Sequence, residues 1–258
     1  MSEEDIAHHE PGTVALVGSG EYLDGMNTTD AYLLETLGGA QEARVVLLPT
    51  ASGREVNGPT YWNDLGLRHF AALGVKDIRA TRIIDAASAR DPAQLALLRD
   101  ADLYYFSGGD PQQIIQSMRQ SPAWEIISAA YERGAVLAGC SAGAMAFGGY
   151  TISIRQLMQS GHSAWASALG IVPQLIVFPH FDRMANFISK VVFQGLINTL
   201  PDSRSIVGVD ENTALVRLAL SPDNTGKARW RVMGQQSVKV FRRGLPTLTL
   251  RVTDEIEL

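Results

Sequence analysis

Short, almost wholly apolar runs alternate along the first two thirds of the chain with longer segments whose apolar positions recur at helical period. The runs fall at 13–17, 44–48, 77–83, 102–106, 135–138 and 175–178, and the helical segments lie near 30–37, 61–73, 92–98, 112–118 and 123–133. Several runs are apolar at every position, as strands buried on both faces of a parallel sheet must be. Strand-helix alternation repeated this often predicts an α/β fold, a three-layer wound and mostly parallel sheet. After Ser205 the texture changes. Segments 205–209, 213–218, 230–233, 237–241 and 247–252 read as strands joined by turns such as Ser221-Pro222-Asp223-Asn224-Thr225-Gly226. This stretch is too short to hold a core of its own. The expectation is therefore a C-terminal antiparallel β extension of the same sheet. Residues 1–11 read as a flexible, solvated tail and 12–258 as a single α/β domain.

Composition narrows the class without changing that picture. With 46% hydrophobic and 19% charged residues, the chain is too apolar for disorder and too polar for a membrane protein. No run approaches the roughly 18 apolar residues of a spanning helix. The opening Met1-Ser2-Glu3-Glu4-Asp5 is acidic where a secretory signal would be basic. A net charge of −5, with no basic cluster longer than Arg242-Arg243, argues against nucleic acid or a membrane as partner. One cysteine cannot form an internal disulfide and fits a reducing compartment, so a cytoplasmic location is expected. No spacing of His, Cys or acidic residues suggests a metal site, and neither metal nor cofactor is expected. The oligomeric state stays open, a homodimer included.

Gly or Ser closely follows most of the runs, as in Gly18-Ser19-Gly20, Ser52-Gly53, Ser107-Gly108-Gly109 and Gly139. Ligand crevices of open α/β sheets lie outside the carboxyl ends of the strands, where small residues let amides approach a ligand. One of these turns carries a specific pattern. Gly139-Cys140-Ser141-Ala142-Gly143 follows an apolar run and precedes the helix-prone Ala144-Met145-Ala146-Phe147. Strand, turn and helix are the context that G-x-S-x-G requires, with small residues two before and two after the nucleophile. Glycine flanks Ser141 on both sides at that spacing, whereas Cys140 has Ala138 and Ala142, so Ser141 is the candidate nucleophile. The Ala142 amide would then face the cleft as an oxyanion donor, aided by the helix N-terminus.

A serine hydroxyl needs a base. Of five histidines, His8 and His9 sit in the tail, His69 lies within an amphipathic helix and His162 in a polar stretch. His180 emerges just past Leu175-Ile176-Val177-Phe178-Pro179 and is the preferred base, with His162 second. The base in turn needs a carboxylate to hold its tautomer. Residues 142–179 contain neither Asp nor Glu, so the acid comes from before the elbow or after His180. Asp182 is too near along the chain and is expected to face solvent or cap a helix. Glu211, after the run 205–209, is preferred, and Asp210 remains the alternative.

At these residues the sequence resembles the cyanophycinase and α-aspartyl dipeptidase family of serine peptidases, which have a class I glutamine amidotransferase-like fold. Four blocks carry the resemblance: the elbow, Phe106-Ser107-Gly108-Gly109-Asp110, Phe178-Pro179-His180-Phe181, and Gly208-Val209-Asp210-Glu211-Asn212-Thr213-Ala214. Together they span about residues 13–218. The resemblance implies a triad of Ser141, His180 and Glu211, with the second oxyanion amide from Gly109 beside that of Ala142. In the dipeptidase branch the acid lies between serine and histidine, an interval that is empty of acids here. The cyanophycinase branch follows its histidine with a glutamine and several arginines, whereas this chain has Phe181-Asp182-Arg183-Met184.

The expected function is that of a serine-type peptidase or amidase, acting through an acyl-enzyme on a small peptide substrate of aspartyl or isoaspartyl type. Gln113, Arg183 and Arg54 are the candidates to grip the substrate. An esterase or amidase for small acyl groups, or a non-catalytic ligand-binding protein of the same fold, are the rival readings.

Overall fold

Alternate residues of one strand serve two different cores. In β1 (Val14–Val17), Val14 and Leu16 enter one apolar cluster while Ala15 and Val17 enter another. The same division runs through β2 (Arg44–Leu48), β4 (Leu103–Phe106) and β5 (Val136–Cys140). A strand buried on both faces needs helices on both sides, and these supply them. Leu33, Leu34 and Phe70, from α1 (Asn27–Glu35) and α2 (Gly58–Ala72), cover one face. Leu98, Ile114, Met118 and Ile127 cover the other, from α3 (Pro92–Leu98), α4 (Pro111–Met118) and α5 (Pro122–Glu132). Each of these last three helices starts on the same device. Asp91, Asp110 and Ser121 precede a proline, and their side chains accept from the amides of Ala93, Gln112 and Trp124. The proline lacks a donor where none is needed, and the cap satisfies one that is.

The computed structural model describes residues 11–152, 165–186, 188–200, 203–220 and 228–258. The tail histidines, His162 and the turn at 221–226 lie outside them. Eight strands form the main sheet, with β3 (Asp77–Ala80), β2, β4, β5 and β1 running parallel. Next to β1, β10 (Thr213–Leu220), β11 (Ala228–Gly234) and β14 (Glu255–Glu257) continue it antiparallel. The α/β class and an antiparallel C-terminal extension are both present, and no helix among the described residues is long and apolar enough to cross a membrane.

The extension is nevertheless divided between two sheets, where one was expected. The second sheet has the order β13 (Leu248–Arg251), β12 (Ser237–Phe241), β9 (Ser205–Val209), β8 (Leu175–Phe178). Its pair β8–β9 is parallel, the others antiparallel. Val177, Val207, Val209, Val238 and Val240 share one cluster with Leu16, Leu137 and Trp230 of the main sheet. The opposite side of β8 and β9 is closed by Phe193, Leu196 and Ile197 of α7 (Lys190–Asn198), around Ile176, Phe178 and Ile206. Helix α6 (Ala142–Phe147) and the small hairpin β6 (Tyr150–Ile152) and β7 (Trp165–Ser167) complete the elements used below.

Candidate active site

The carboxyl ends of β4, β5 and β1 are level, since Phe106 pairs with Gly139 and Val17 with Cys140. Chain leaving β5 turns at once into α6, and Ser141 sits at that turn with φ 50° and ψ −106°. This backbone is outside the ordinary regions for a residue with a Cβ, a strain of about 1–3 kcal/mol that the packing around it must hold. The packing is tight. A Cβ on Gly139 would lie 2.6 Å from the Gly143 carbonyl carbon, and one on Gly143 would lie 2.6 Å from the Phe106 carbonyl oxygen. Both flanking glycines are therefore steric requirements of the crossing. The Ser141 amide is tied to the Val17 carbonyl at 2.9 Å, and the Ser141 carbonyl accepts from Met145 at 3.1 Å.

His180 and Glu211 arrive from the second sheet. In register, Phe178 of β8 pairs with Gly208 of β9, so the two strand ends deliver their next residues side by side. The sheets meet at Gly18, whose carbonyl accepts from His180 at 3.3 Å and whose amide donates to Thr213 at 2.9 Å. His180 Nε2 lies 3.0 Å from Ser141 Oγ, and its Nδ1 lies 2.8 Å from Glu211 Oε1. The other carboxyl oxygen of Glu211 pairs with Arg183 at 2.8 Å. The Glu211 amide donates to Asp182 Oδ1 at 3.0 Å, so Asp182, exposed as expected, also anchors the 210–212 turn. His180 and Asn212 both take positive φ, 49° and 51°, conformations that these two residue types tolerate better than most.

Asp210 points elsewhere. It is buried, and its Oδ2 accepts from the amide and hydroxyl of Ser237. The three polar residues expected to grip a substrate are distributed differently. Gln113 is 5% exposed and its amide nitrogen donates to the Ile84 carbonyl, so that group is committed to the fold. Arg183 is committed to Glu211. Arg54 is exposed, 3.4 Å from Gln116 and 3.9 Å from the Asp110 carboxyl. Gly109 has φ 138°. Neither its amide nor that of Ala142 has an acceptor among the described residues. Sequence reasoning missed the link between Arg183 and Glu211, and also Glu21, whose only signal was its place after β1.

Cys140 is fully buried and donates its thiol to Glu21 Oε2 at 2.8 Å. Burial, reinforced by Glu21, pushes its pKa well above the ordinary thiol value, so no thiolate forms near neutrality. Iodoacetamide at pH 8 is expected to leave Cys140 unmodified in the folded protein and to label it fully in guanidinium, read by intact mass. Rapid labelling of the folded protein would refute this burial. No group of three or more potential ligands for a metal occurs among the described residues.

A wound sheet with a strained serine on a strand-to-helix elbow, facing a histidine and a carboxyl from neighbouring strand ends, defines an α/β protein of the nucleophile-elbow class. The chain belongs to peptidase family S51, whose family model matches residues 14–218. It is 29% identical over 185 residues to the cyanophycinase of Geminocystis herdmanii (strain PCC 6308), covering 69% of this chain and 64% of that one. The cyanophycinase of Synechococcus elongatus is 27% identical over 209 residues, covering 78% and 59%. The chain thus spans less than two thirds of these curated relatives. Among solved structures, a peptidase from an acI-B1 Actinobacterium superposes with a TM-score of 0.83 at 30% identity, covering 97% of this chain and 98% of that one. A Listeria monocytogenes EGD-e protein assigned to peptidase E shares the fold, with a TM-score of 0.57 at 20% identity and coverage of 94% and 100%.

Proposed function

We propose that the protein is a serine peptidase or amidase that cleaves a short aspartyl or isoaspartyl peptide through Ser141, His180 and Glu211. The observation that carries this is the continuous relay, 3.0 Å from Ser141 Oγ to His180 Nε2 and 2.8 Å from His180 Nδ1 to Glu211 Oε1. With Glu211 accepting the Nδ1 proton, Nε2 is left as the acceptor of the serine hydroxyl. Membership of family S51 supports the same reading.

In this mechanism Nε2 takes the hydroxyl proton as Oγ bonds to the substrate carbonyl carbon. The oxyanion accepts from the amides of Gly109 and Ala142, at the mouth of α6. The imidazolium, held by Glu211, protonates the leaving nitrogen as the C–N bond breaks and the amine departs. Water then repeats the sequence on the acyl-enzyme, losing its proton to Nε2 and releasing the acid and free Ser141. Arg54, an exposed cation beside Asp110, would meet an acidic substrate group. The arginine-rich pocket by which the cyanophycinase branch is recognised is not matched after His180, so the proposal stops at the aspartyl class of short peptide.

The test is a mass-spectrometric screen of the purified protein against α- and β-aspartyl dipeptides, beside a panel of p-nitrophenyl esters and fluorophosphonate labelling. Dipeptide cleavage that Ser141→Ala abolishes is the expected result. Ester turnover with every dipeptide intact would replace peptidase by esterase. Absence of fluorophosphonate labelling at Ser141 would leave a ligand-binding protein.

A further inference from the structure

Glu21 lies in the turn after β1, is 5% exposed, and takes no part in the relay. Its surroundings are those of the apolar cluster that contains Val17, Tyr22, Tyr105 and Cys140. A carboxyl group in such a place is costly unless its oxygens are bonded. Both are. Oε1 accepts from the Gly108 amide at 2.8 Å, and Oε2 accepts from the Cys140 thiol at 2.8 Å.

These two partners belong to different elements. Gly108 belongs to the loop leaving β4, directly before Gly109, and Cys140 ends β5, directly before Ser141. One carboxyl group therefore joins the two segments that carry the two candidate oxyanion amides, those of Gly109 and Ala142. The loop and the elbow are in contact as well, because a Cβ on Gly108 would lie 3.4 Å from Ser141 Cβ and 3.0 Å from Glu21 Oε1. With the Gly108 amide engaged by Glu21, the next amide along, that of Gly109, is the one left without an acceptor among the described residues. Its φ of 138° turns the chain at that point.

We propose that Glu21 is a positioning residue for the oxyanion site, holding the 107–109 loop at a fixed distance from the elbow. This rests on the serine peptidase reading of Ser141. It assigns Glu21 no contact with the reacting atoms. An amide that drifts from the oxyanion position by an ångström loses most of its effect on the transition state, so the consequence falls on turnover. Acylation and deacylation each pass through an oxyanion, and both slow together. KM, which depends on their ratio and on binding, then stays nearly constant.

The experiment measures p-nitrophenyl acetate hydrolysis and the rate of fluorophosphonate labelling for wild type, Glu21→Ala and Glu21→Gln, with thermal melting recorded for each. Glu21→Ala is expected to lower kcat by about 100-fold with KM little changed, and labelling should slow in step. Glu21→Gln retains a carbonyl for the Gly108 amide and should recover most of the lost turnover. If Glu21→Ala does not fold, the near-isosteric Glu21→Met takes its place. Wild-type kcat in the alanine or methionine variant, a loss carried by KM, or a glutamine variant as impaired as alanine would each overturn the proposal. A wild-type protein that neither hydrolyses the ester nor labels would instead overturn the peptidase reading, and this proposal with it.

Discussion

Ser141→Ala is expected to yield a folded protein whose hydrolytic turnover is lower by about 10³–10⁶-fold. The size follows from the role, because no other hydroxyl stands within hydrogen-bond distance of His180 among the described residues. Without Oγ the only catalysis left is a water polarised by the amides of the elbow and loop. Folding should survive. The elbow conformation is imposed by contacts of Gly139, Gly143 and Phe106, none of which involves the Ser141 hydroxyl. Activity and fluorophosphonate labelling, measured beside a melting curve, decide the matter. Wild-type turnover in the alanine variant would end the assignment.

The second large effect belongs to Glu211→Gln, expected to cost about 10⁴-fold in kcat. A glutamine can turn its amide N–H toward Nδ1, and the imidazole then carries its proton on Nε2. That proton faces Ser141 Oγ, and the ring can no longer receive one from it. The substitution also removes the carboxylate partner of Arg183, whose side chain is 63% exposed. An ion pair whose cation is this exposed contributes little to stability, so the loss should be catalytic. Asp210→Asn makes the contrast. It disturbs the bonds to Ser237 that fasten β12 to the end of β9, and its effect should be read in the melting temperature. A glutamine variant with wild-type kcat, or an equal loss of kcat at Asp210, would move the acid's role away from Glu211.

Much of the candidate site was legible because the proposed chemistry needs local sequence that sterics also demand. Ser141 could be told from Cys140 by the spacing of the glycines alone, and the close approach at Gly139 and Gly143 is the physical reason. His180 was legible as a histidine just past a buried strand. The acid was narrowed by the absence of carboxylates from 142–179, and the structure brings Glu211, not Asp210, to the imidazole.

What escaped was mostly non-local. An all-apolar run reports that a strand is buried on both faces, and says nothing of which sheet buries it. The run at 175–178 therefore looked like another member of the main sheet, though its neighbour is β9. Helix α7 went unread because Lys190-Val191-Val192-Phe193-Gln194-Gly195 has β-branched residues and a glycine where a helix prefers neither, and Val191 is 82% exposed. Packing of Phe193, Leu196 and Ile197 against β8 and β9 outweighs that weak propensity. Gln113 and Arg183 had the right chemistry for gripping a ligand, but partners distant in sequence had already engaged them. Glu21 was invisible for the same reason, since its partners lie 87 and 119 residues away.

The seam between the two sheets has a further consequence for the protein's life on the ribosome. The serine is laid down with β5, but the imidazole and carboxyl that would arm it are delivered by β8 and β9, and β9 is itself flanked by β12. A nascent chain that has emerged only through the elbow owns a hydroxyl with no proton acceptor beside it. On the proposed reading the relay is complete only once β8 and β9 have been made and have docked, so a chain that stops short of them carries a serine without its base.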